Sequence, residues 1–308
     1  MAWNINGTQM GPCIEEVNNT KVVPTEEAPF QDLVPLLRRA ATDDKTIIMT
    51  SVNGAWAAPN SLLDVFLESF HIGEQIEHLL QHLIIVAMDP KAFKRCKSLH
   101  PHCYLLKVNG TDFTSEKVLM SKGYIELVWS KLKFQRRILE LGYNFLFTDI
   151  DVLWFRNPFK HTTVLADLTT SCDFFFGDPK DLANFPNTGL FYVKSTRKNA
   201  EMLKCWYESK ARFPNKHEQS VFNKIKRELI HRFRVRFRFI PTDICGGFCS
   251  HGKDLSKICT MHANCCVGLQ NKLHDLRNVM EDWKTYMALS TAEERRVATW
   301  RVPTRCII

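Results

Sequence analysis

Three short apolar runs, separated by segments with helical periodicity, constrain the fold of this chain most strongly. They read KTIIMTSV (45–52), HLIIVAMD (82–89) and NFLFT (144–148), and each has the composition of a buried strand. NSLLDVFLESF and the stretch from Lys122 to Leu141 are helix-like segments between them. This succession of strand, helix and strand predicts a mostly parallel α/β sheet with helices on both faces.

Composition adds a size and a class to this prediction. The chain has 308 residues, of which 45% are hydrophobic and 24% charged, as in an ordinary globular protein. Residues 1–40 are polar, contain several prolines and show no sustained period. We expect an N-terminal extension there, leading into a first short helix, and the folded domain over 41–308. The formal charge of +8 favours anionic partners such as phosphates and nucleotides.

The chain lacks the patterns of membrane and secretory segments. It contains no run of about 18 apolar residues, and its N-terminus has no charged region followed by an apolar one. We therefore expect neither a membrane span nor a signal peptide in this chain, which leaves a soluble or cytoplasmic location open.

Cysteines are unusually frequent. Five of the eleven crowd into one stretch near the C-terminus, namely Cys245, Cys249, Cys259, Cys265 and Cys266. The spacings CGGFC and CC lack the C-x2-C pattern of a strong zinc site. We therefore favour disulfides and keep structural zinc as the alternative.

The stretch FRVRFRF (233–239) alternates strictly between aromatic or aliphatic residues and arginines. This period of two predicts a half-buried strand with its arginines on one face. We favour the interpretation that the arginines form the solvent-exposed face of an edge strand. The alternative is that they bind a polyanion.

The run NFLFT leads directly into two aspartates, Asp149 and Asp151. The carboxyl ends of parallel strands are where α/β sheets bind ligands. Two carboxylates at this spacing offer oxygen ligands to a hard divalent cation, which can hold a diphosphate and neutralise its charge as it departs. In the alternative, one aspartate caps a turn and the other pairs with Arg156. The apolar residues on both sides of the aspartates favour cation binding, because burying an unpaired charge is expensive.

Two chemistries use such a pair of aspartates. In a phosphohydrolase of the haloacid-dehalogenase type, Asp149 would be the nucleophile and Asp151 an acid. That class usually has a small β-branched residue where Leu153 stands, and it carries its motif on the first strand. Sugar transfer from a nucleotide donor instead places the motif in mid-sheet, after a nucleotide-binding half, and this agrees with its position here.

Several longer motifs carry a resemblance to a known family. LGYNFLFTDIDVLWFRNPF, LESFHIGEQIEHLLQHLIIVAMD, NTGLFYVKS and GGFCSHGKDLSKICTMHANCCVGLQNKLHDL resemble the plant nucleotide-diphospho-sugar transferase family, related to the cell-wall arabinosyl- and xylosyltransferases of glycosyltransferase family seventy-seven. The resemblance runs from about Lys45 to the C-terminus. It implies a GT-A fold with a Rossmann-like donor half over about 41–160. An acceptor half with the Cys-rich segment would follow over about 161–308.

The resemblance also implies an activity. Members are retaining glycosyltransferases that take a nucleotide-diphospho-sugar as donor, with Mn²⁺ or Mg²⁺ as cofactor. The expected acceptor is a cell-wall polysaccharide or a glycoprotein, and the expected location is the Golgi lumen. No nucleic acid partner is expected.

Carried over to this sequence, the resemblance assigns metal and donor ligands. Asp149 would approach the ribose of the donor and the metal, and Asp151 would bind the metal directly. His262, in CTMHANC, would complete the metal site from a C-terminal loop.

Four further residues are candidates for donor contacts. TSVNGAW follows the first predicted strand, where Thr50, Ser51 and Asn53 would contact the base and ribose, although Asn53-Gly54 also fits a simple turn. Lys133, on the helix before the aspartates, is a candidate contact for the diphosphate, with an exposed helix lysine as the alternative.

Two positions depart from the family pattern. The family usually reads P-N-G-G and H-D-Q, whereas this chain has Thr188 in PNTG and Glu218 in HEQ. We assign Glu218 and Gln219 to sugar positioning or to charge stabilisation in the transition state. Because Thr188 adds a side chain where the sugar approaches, a non-catalytic protein that binds nucleotide sugars or glycans is a further alternative.

Overall fold

The computed structural model describes residues 30–106, 122–163, 165–250 and 254–306. The strands in these ranges are β1 (Thr46–Val52), β2 (Leu83–Ala87), β3 (Cys103–Leu105), β4 (Asn144–Thr148), β5 (Val152–Trp154), β6 (Leu168–Phe174), β7 (Phe185–Val193), β8 (Phe237–Phe239), β9 (Cys245–Gly247) and β10 (Thr260–His262). The α-helices are α1 (Val34–Ala40), α2 (Leu62–Ile72), α3 (Pro90–Leu99), α4 (Lys122–Glu140), α5 (Arg197–Glu208), α6 (Glu218–Phe233), α7 (Leu269–Ala288) and α8 (Ala292–Val297). Short 3-10 helices lie at Gln31–Leu33, Glu77–His82, Pro158–His161 and Ser209–Arg212.

A central sheet holds seven of these strands in the order β3-β2-β1-β4-β7-β6-β8. Strands β1 to β4 run parallel, β8 runs parallel to β6, and β7 is antiparallel to both of its neighbours. Within this sheet, β7 is therefore the one strand that runs against the rest. A second, small sheet has the order β5-β10-β9.

Alternate residues of the central strands face two separate apolar cores. Ile48 and Val52 of β1 belong to a core that also contains residues of α2, α3 and α7, whereas Ile47 and Met49 pack with residues of α1, α4, α5 and α6. Helices therefore cover both faces of the sheet, as the burial of successive residues along β1 requires. The α/β class predicted from the sequence is confirmed.

The N-terminal part of the chain divides into two regions. Residues 1–29, which make up most of the predicted extension, lie outside the described residues. The expected first short helix is α1, and its Leu36, Leu37 and Ala40 are buried in the core. No helix in the described ranges is long and apolar enough to cross a membrane.

The arginine-rich stretch FRVRFRF forms less strand than predicted. Helix α6 continues to Phe233, and Arg234 adopts a left-handed conformation with φ of 50° beyond its end. The strand prediction is therefore wrong for residues 233–236, because α6 extends through Phe233 and the left-handed turn at Arg234 delays the strand until Phe237. Phe237–Phe239 is indeed an edge strand, with both phenylalanines buried.

Disulfides account for three of the five crowded cysteines. Cys249 is bonded to Cys265, and Cys266 is bonded to Cys306. The preference for disulfides over zinc is thus confirmed for these residues. Cys245 and Cys259 are free, buried thiols, and burial raises the pKa of Cys259 to about 11. A further disulfide joins Cys96 to Cys103.

The C-terminal segment is tied to helix α7 beside its disulfide. The Asp275 carboxylate accepts the backbone N–H groups of Thr304, Arg305 and Cys306 at 3.0, 2.9 and 2.7 Å. Burial alone would raise the pKa of Asp275, but these hydrogen bonds hold it below the ordinary aspartate value. They therefore help to fix the segment that follows α8 against the domain.

Candidate active site

Backbone hydrogen bonds bring two distant parts of the chain together at the carboxyl edge of the central sheet. After β4 ends, the N–H of Asp149 donates to the carbonyl of Gly189 on neighbouring β7 at 2.7 Å. The chain then turns into β5, and antiparallel pairing with β10 places His262 opposite Val152. The N–H of Ala263 donates to the carbonyl of Asp151 at 3.0 Å. The second sheet thus holds the His262 segment beside the two aspartates.

Asp149, Asp151 and His262 form one cluster. Each offers a ligand atom, and these three atoms lie within 4.8 Å of one another. Nε2 of His262 is 3.3 Å from Oδ1 of Asp151. Asp151 is buried, whereas the Asp149 side chain is 30% exposed, so the cluster is open on the Asp149 side. Two carboxylates and an imidazole suit Mn²⁺, and carboxylates with water suit Mg²⁺.

Lys272, in the first turns of α7, neutralises the buried end of this cluster. Its ammonium group donates to Asp151 Oδ2 and, at 3.0 Å, to the carbonyl of Ala263. Burial alone would raise the pKa of Asp151, but the charges of Lys272 and His262 hold it well below its usual range. Burial alone would lower the pKa of His262, whereas the Asp151 charge raises it above the ordinary value. Asp151 is therefore kept as a carboxylate ready to accept a cation.

Lys131, on α4, approaches the cluster from the other side. Its Nζ lies 3.1 Å from Asp149 Oδ1 and 4.8 Å from the centre of the Phe147 ring. Burial alone would lower the pKa of Lys131, but the charges of Asp149 and then Glu218 raise it above the ordinary lysine value. Lys131 is therefore held as an ammonium group beside Asp149.

Gly189 lets the backbone of β7 approach this cluster closely. A Cβ atom added at this position would lie 2.4 Å from Cε1 of His262, 2.8 Å from Oδ1 of Asn187 and 2.9 Å from Oδ2 of Asp149. Real Cβ atoms essentially never come so close to other atoms. The absence of a side chain here is therefore required by the positions of the His262 and Asp149 side chains.

A further carboxylate, that of Asp173, accepts hydrogen bonds from three side-chain amides next to the cluster. Asn187 and Asn264 each donate to its Oδ1 at 2.7 Å, and Gln219 donates to its Oδ2 at 2.9 Å. These amides come from β7, from the loop after His262 and from the start of α6. Asp173 therefore fixes the orientation of Gln219, whose Oε1 in turn accepts the N–H of Thr188 at 2.9 Å.

Thr188 and Glu218 lie side by side. The Thr188 hydroxyl is 3.2 Å from Gln219 Oε1 and 3.4 Å from Glu218 Oε1, so it can donate to either oxygen. The other Glu218 oxygen, Oε2, is buried without a hydrogen-bond partner among the described residues, and His217 Nδ1 lies 3.9 Å from it. Glu218 thus keeps one acceptor oxygen available.

The residues expected to contact the nucleotide lie at the carboxyl end of β1, next to β4. Thr50 is buried, and its hydroxyl has no hydrogen-bond partner in the described part of the chain. Ser51 is half-buried. The side-chain oxygen of Asn53 accepts the N–H of Trp56 at 3.0 Å, which is turn chemistry. The structure therefore brings these residues to the same sheet edge as the aspartates.

Lys133 does not join the cluster, because its side chain is exposed on α4. Among the described residues, the lysines that reach the aspartates are Lys131 and Lys272. No sequence motif marked these two lysines or Asp173. One signal for Lys272 was available. A cation in the first turns of a helix is opposed by the helix dipole unless an anion is near.

Comparison with known proteins identifies the family of this chain. A model of the nucleotide-diphospho-sugar transferase family matches residues 78–276. An uncharacterized protein of Arabidopsis thaliana is 40% identical over 280 residues, which cover 90% of this chain and 74% of that protein.

Two further matches are more distant. UDP-D-xylose:L-fucose alpha-1,3-D-xylosyltransferase 3 of Arabidopsis thaliana is 24% identical over 196 residues, which cover 55% of this chain and 49% of that enzyme. The solved structure of the galactosyltransferase LgtC with donor and acceptor sugar analogs matches at a TM-score of 0.47 and 13% identity, covering 80% of this chain and 98% of LgtC.

Proposed function

Because this chain belongs to the nucleotide-diphospho-sugar transferase family, and is thus a nucleotide-sugar-dependent glycosyltransferase, we propose that its reaction is metal-dependent and retaining. The proposed acceptor is a cell-wall polysaccharide or a glycoprotein. The phosphohydrolase alternative, with Asp149 as nucleophile, is set aside because the family transfers sugars.

The observation that carries the proposal is the cluster of Asp149, Asp151 and His262 at the carboxyl edge of the sheet. A bound Mn²⁺ or Mg²⁺ would act there as a Lewis acid on the diphosphate of the donor. The three side chains would hold the cation. Lys272, whose ammonium group donates to Asp151, would also donate to a diphosphate oxygen of the donor.

The remaining residues are assigned by their places around this cluster. Thr50, Ser51 and Asn53 would contact the base and ribose in the donor half, about 41–160. Glu218 and Gln219 would position the sugar or stabilise its developing charge, in the acceptor half of about 161–308. Asp173 fixes the orientation of the Gln219 side chain, which supports a role for Gln219 in positioning the sugar.

Retention requires the new bond to form on the face that the leaving group vacates. The bond from the anomeric carbon to the diphosphate oxygen breaks, and the acceptor oxygen bonds to the same face. The acceptor proton then passes to the leaving phosphate. No side chain needs to act as a nucleophile in these reaction steps. Glu218 would stabilise the positive charge that develops on the sugar.

The proposed location is the Golgi lumen. Three disulfides among the described residues support an oxidising compartment. Distant relatives include a xylosyltransferase and arabinosyltransferases, which fits synthesis of wall glycans.

A thermal-stability screen of nucleotide sugars tests the proposed function. We expect one donor to raise the melting temperature of the chain in manganese but not in EDTA, because a ligand of the native state stabilises it. That donor should also be hydrolysed slowly or transferred to an acceptor. Binding without any turnover would favour the non-catalytic alternative, and a flat response to all donors would contradict the proposal.

The two lysines of α4 provide a matched pair of variants. We expect Lys131→Met to lower donor turnover by about tenfold to a hundredfold, because it removes a charge-assisted hydrogen bond at the cluster. Lys133→Met changes an exposed side chain on the same helix and should leave turnover within about twofold of the parent. Steady-state kinetics of both variants measures this. A larger loss in Lys133→Met would restore Lys133 as the diphosphate contact.

A further inference from the structure

Three phenylalanines form an exposed aromatic patch near the candidate site, here called the phenylalanine platform. Phe174, Phe176 and Phe185 are 49%, 58% and 51% exposed, and no other phenylalanine in the described ranges is as exposed. The rings of Phe174 and Phe176 each meet the ring of Phe185 edge-on, with centroids 6.2 Å apart. Exposed aromatic clusters of this kind mark binding surfaces more often than scattered single side chains do.

The platform stands on a rigid base. Buried Asn184 accepts the N–H of Phe176 at 2.7 Å and donates to the carbonyl of Asp178 at 2.8 Å. Lys226 donates to the carbonyl of Asn184 at 2.6 Å, and its Nζ lies 5.7 Å from the centre of the Phe185 ring. Because the backbone beneath the rings is already fixed, a ligand would bind with little further loss of conformational entropy.

One face of helix α6 connects the platform to the candidate site. Gln219 reaches Asp173, Asn223 donates to the carbonyl of Pro186 at 3.2 Å, and Lys226 supports the platform. These three helix positions are four and three residues apart, so they lie on one face. A rise of 1.5 Å per residue puts roughly 10 Å between the two ends of this row. A monosaccharide would not bridge that distance, whereas a short oligosaccharide would.

We propose that the phenylalanine platform binds the acceptor glycan by stacking of sugar rings, a few residues from the acceptor hydroxyl that is glycosylated. The inference rests on the proposed function. Sugar C–H groups carry small positive partial charges and fit the negative face of a phenyl ring. The amides and carboxylate between platform and cluster supply hydrogen bonds for the intervening sugar units.

The size of the platform favours a glycan over a protein partner. Three side chains of about 200 Å² each, roughly half exposed, offer on the order of 300 Å². A stable protein interface buries about 800 Å² on each partner. The platform is therefore too small for such an interface, and it suits an extended oligosaccharide.

Binding to an array of plant cell-wall oligosaccharides tests the proposal. We expect the triple variant Phe174→Ala, Phe176→Ala, Phe185→Ala to weaken binding of the glycans that the parent retains by about tenfold or more. With a turned-over acceptor, KM for that acceptor should rise while kcat stays close to the parent value. Phe185→Tyr, which keeps an aromatic face, should bind as the parent does. Leu165→Ala removes an exposed hydrophobic side chain elsewhere and serves as the surface control.

Three results would overturn the proposal. The first is unchanged glycan binding by the triple variant, and the second is that the parent binds no glycan of the array. The third is that sedimentation velocity shows a dimer for the parent and a monomer for the triple variant. The last would make the platform a contact between copies. Hydrolysis of the donor without acceptor, measured on the parent, tests the proposed function separately. If the parent hydrolyses the donor but binds none of the glycans, the platform proposal is wrong and the proposed function stands.

Discussion

Asp151→Asn is expected to abolish manganese-dependent donor turnover, with a loss on the order of a hundredfold or more. Lewis-acid stabilisation of a departing diphosphate is worth several kcal/mol, and each 1.4 kcal/mol is about tenfold in rate. Asp151 is the buried ligand of the cluster, fixed by Lys272 and His262. An amide at this position cannot supply the negative charge that a divalent cation requires.

Metal binding and turnover can be separated in this variant. In the parent, manganese at 100 times its Kd should stabilise the native state by about 2.7 kcal/mol. We expect this increment to disappear in Asp151→Asn, together with the metal-dependent rate. The variant should also be less stable without metal, because Lys272 and His262 lose the charge that they face.

Asp64→Asn is the matched control. Asp64 is a partly buried carboxylate that pairs with Arg95 at 2.8 Å, outside the cluster. The same chemical change at Asp64 should leave both the stabilisation by manganese and the manganese-dependent rate unchanged. If Asp151→Asn turned over the donor as the parent does, the metal role of the aspartates would be wrong.

Gly189→Ala is expected to have a comparably large effect through packing rather than charge. The new methyl group would lie 2.4 Å from the ring of His262 and 2.9 Å from a carboxylate oxygen of Asp149. His262 cannot retreat freely, because strand pairing with Val152 holds its backbone. We therefore expect the ligands to be forced apart and turnover to fall by on the order of a hundredfold, at a stability cost of about 1–3 kcal/mol.

Gly73→Ala separates the local effect from general destabilisation. Its methyl group would lie 2.5 Å from Cδ1 of Ile76, a comparably close contact at the end of α2. It should lower the melting temperature without a specific loss of manganese binding. Equal losses of activity in the two variants at matched temperature below melting would contradict the role given to Gly189.

The sequence predicted the framework of the fold because its signals are local. The apolar runs that became β1, β2 and β4 are continuous, the helices between them have a periodicity of their own, and the Asp89 side chain caps α3. The motif on Asp149 and Asp151 follows one of these strands directly, so its place at the sheet edge was predictable. Where two periodicities met, at residues 233–236, local reasoning failed.

His262 shows the limit of the residue pattern. A lone histidine more than 100 positions from the aspartates carries no local sign of its role, and only the family resemblance assigned it to the metal. The tertiary structure brings it to the cluster because β10 pairs with β5. Such non-local pairing depends on register between distant segments, which a single sequence does not specify.

Tertiary structure likewise decided which lysine of α4 reaches the aspartates, because Lys131 contacts Asp149 and Lys133 is exposed. Two residues on a helix are separated by about 200° around its axis, so one of them faces the site and the other the solvent. Asp173 and Lys272 were missed for a related reason, since their partners lie on other elements. By itself, the sequence determined the class of fold and the place of the two aspartates at the carboxyl edge of the sheet. Which cations and amides surround them was decided only when the strands and helices packed, because those contacts join residues that the chain keeps far apart.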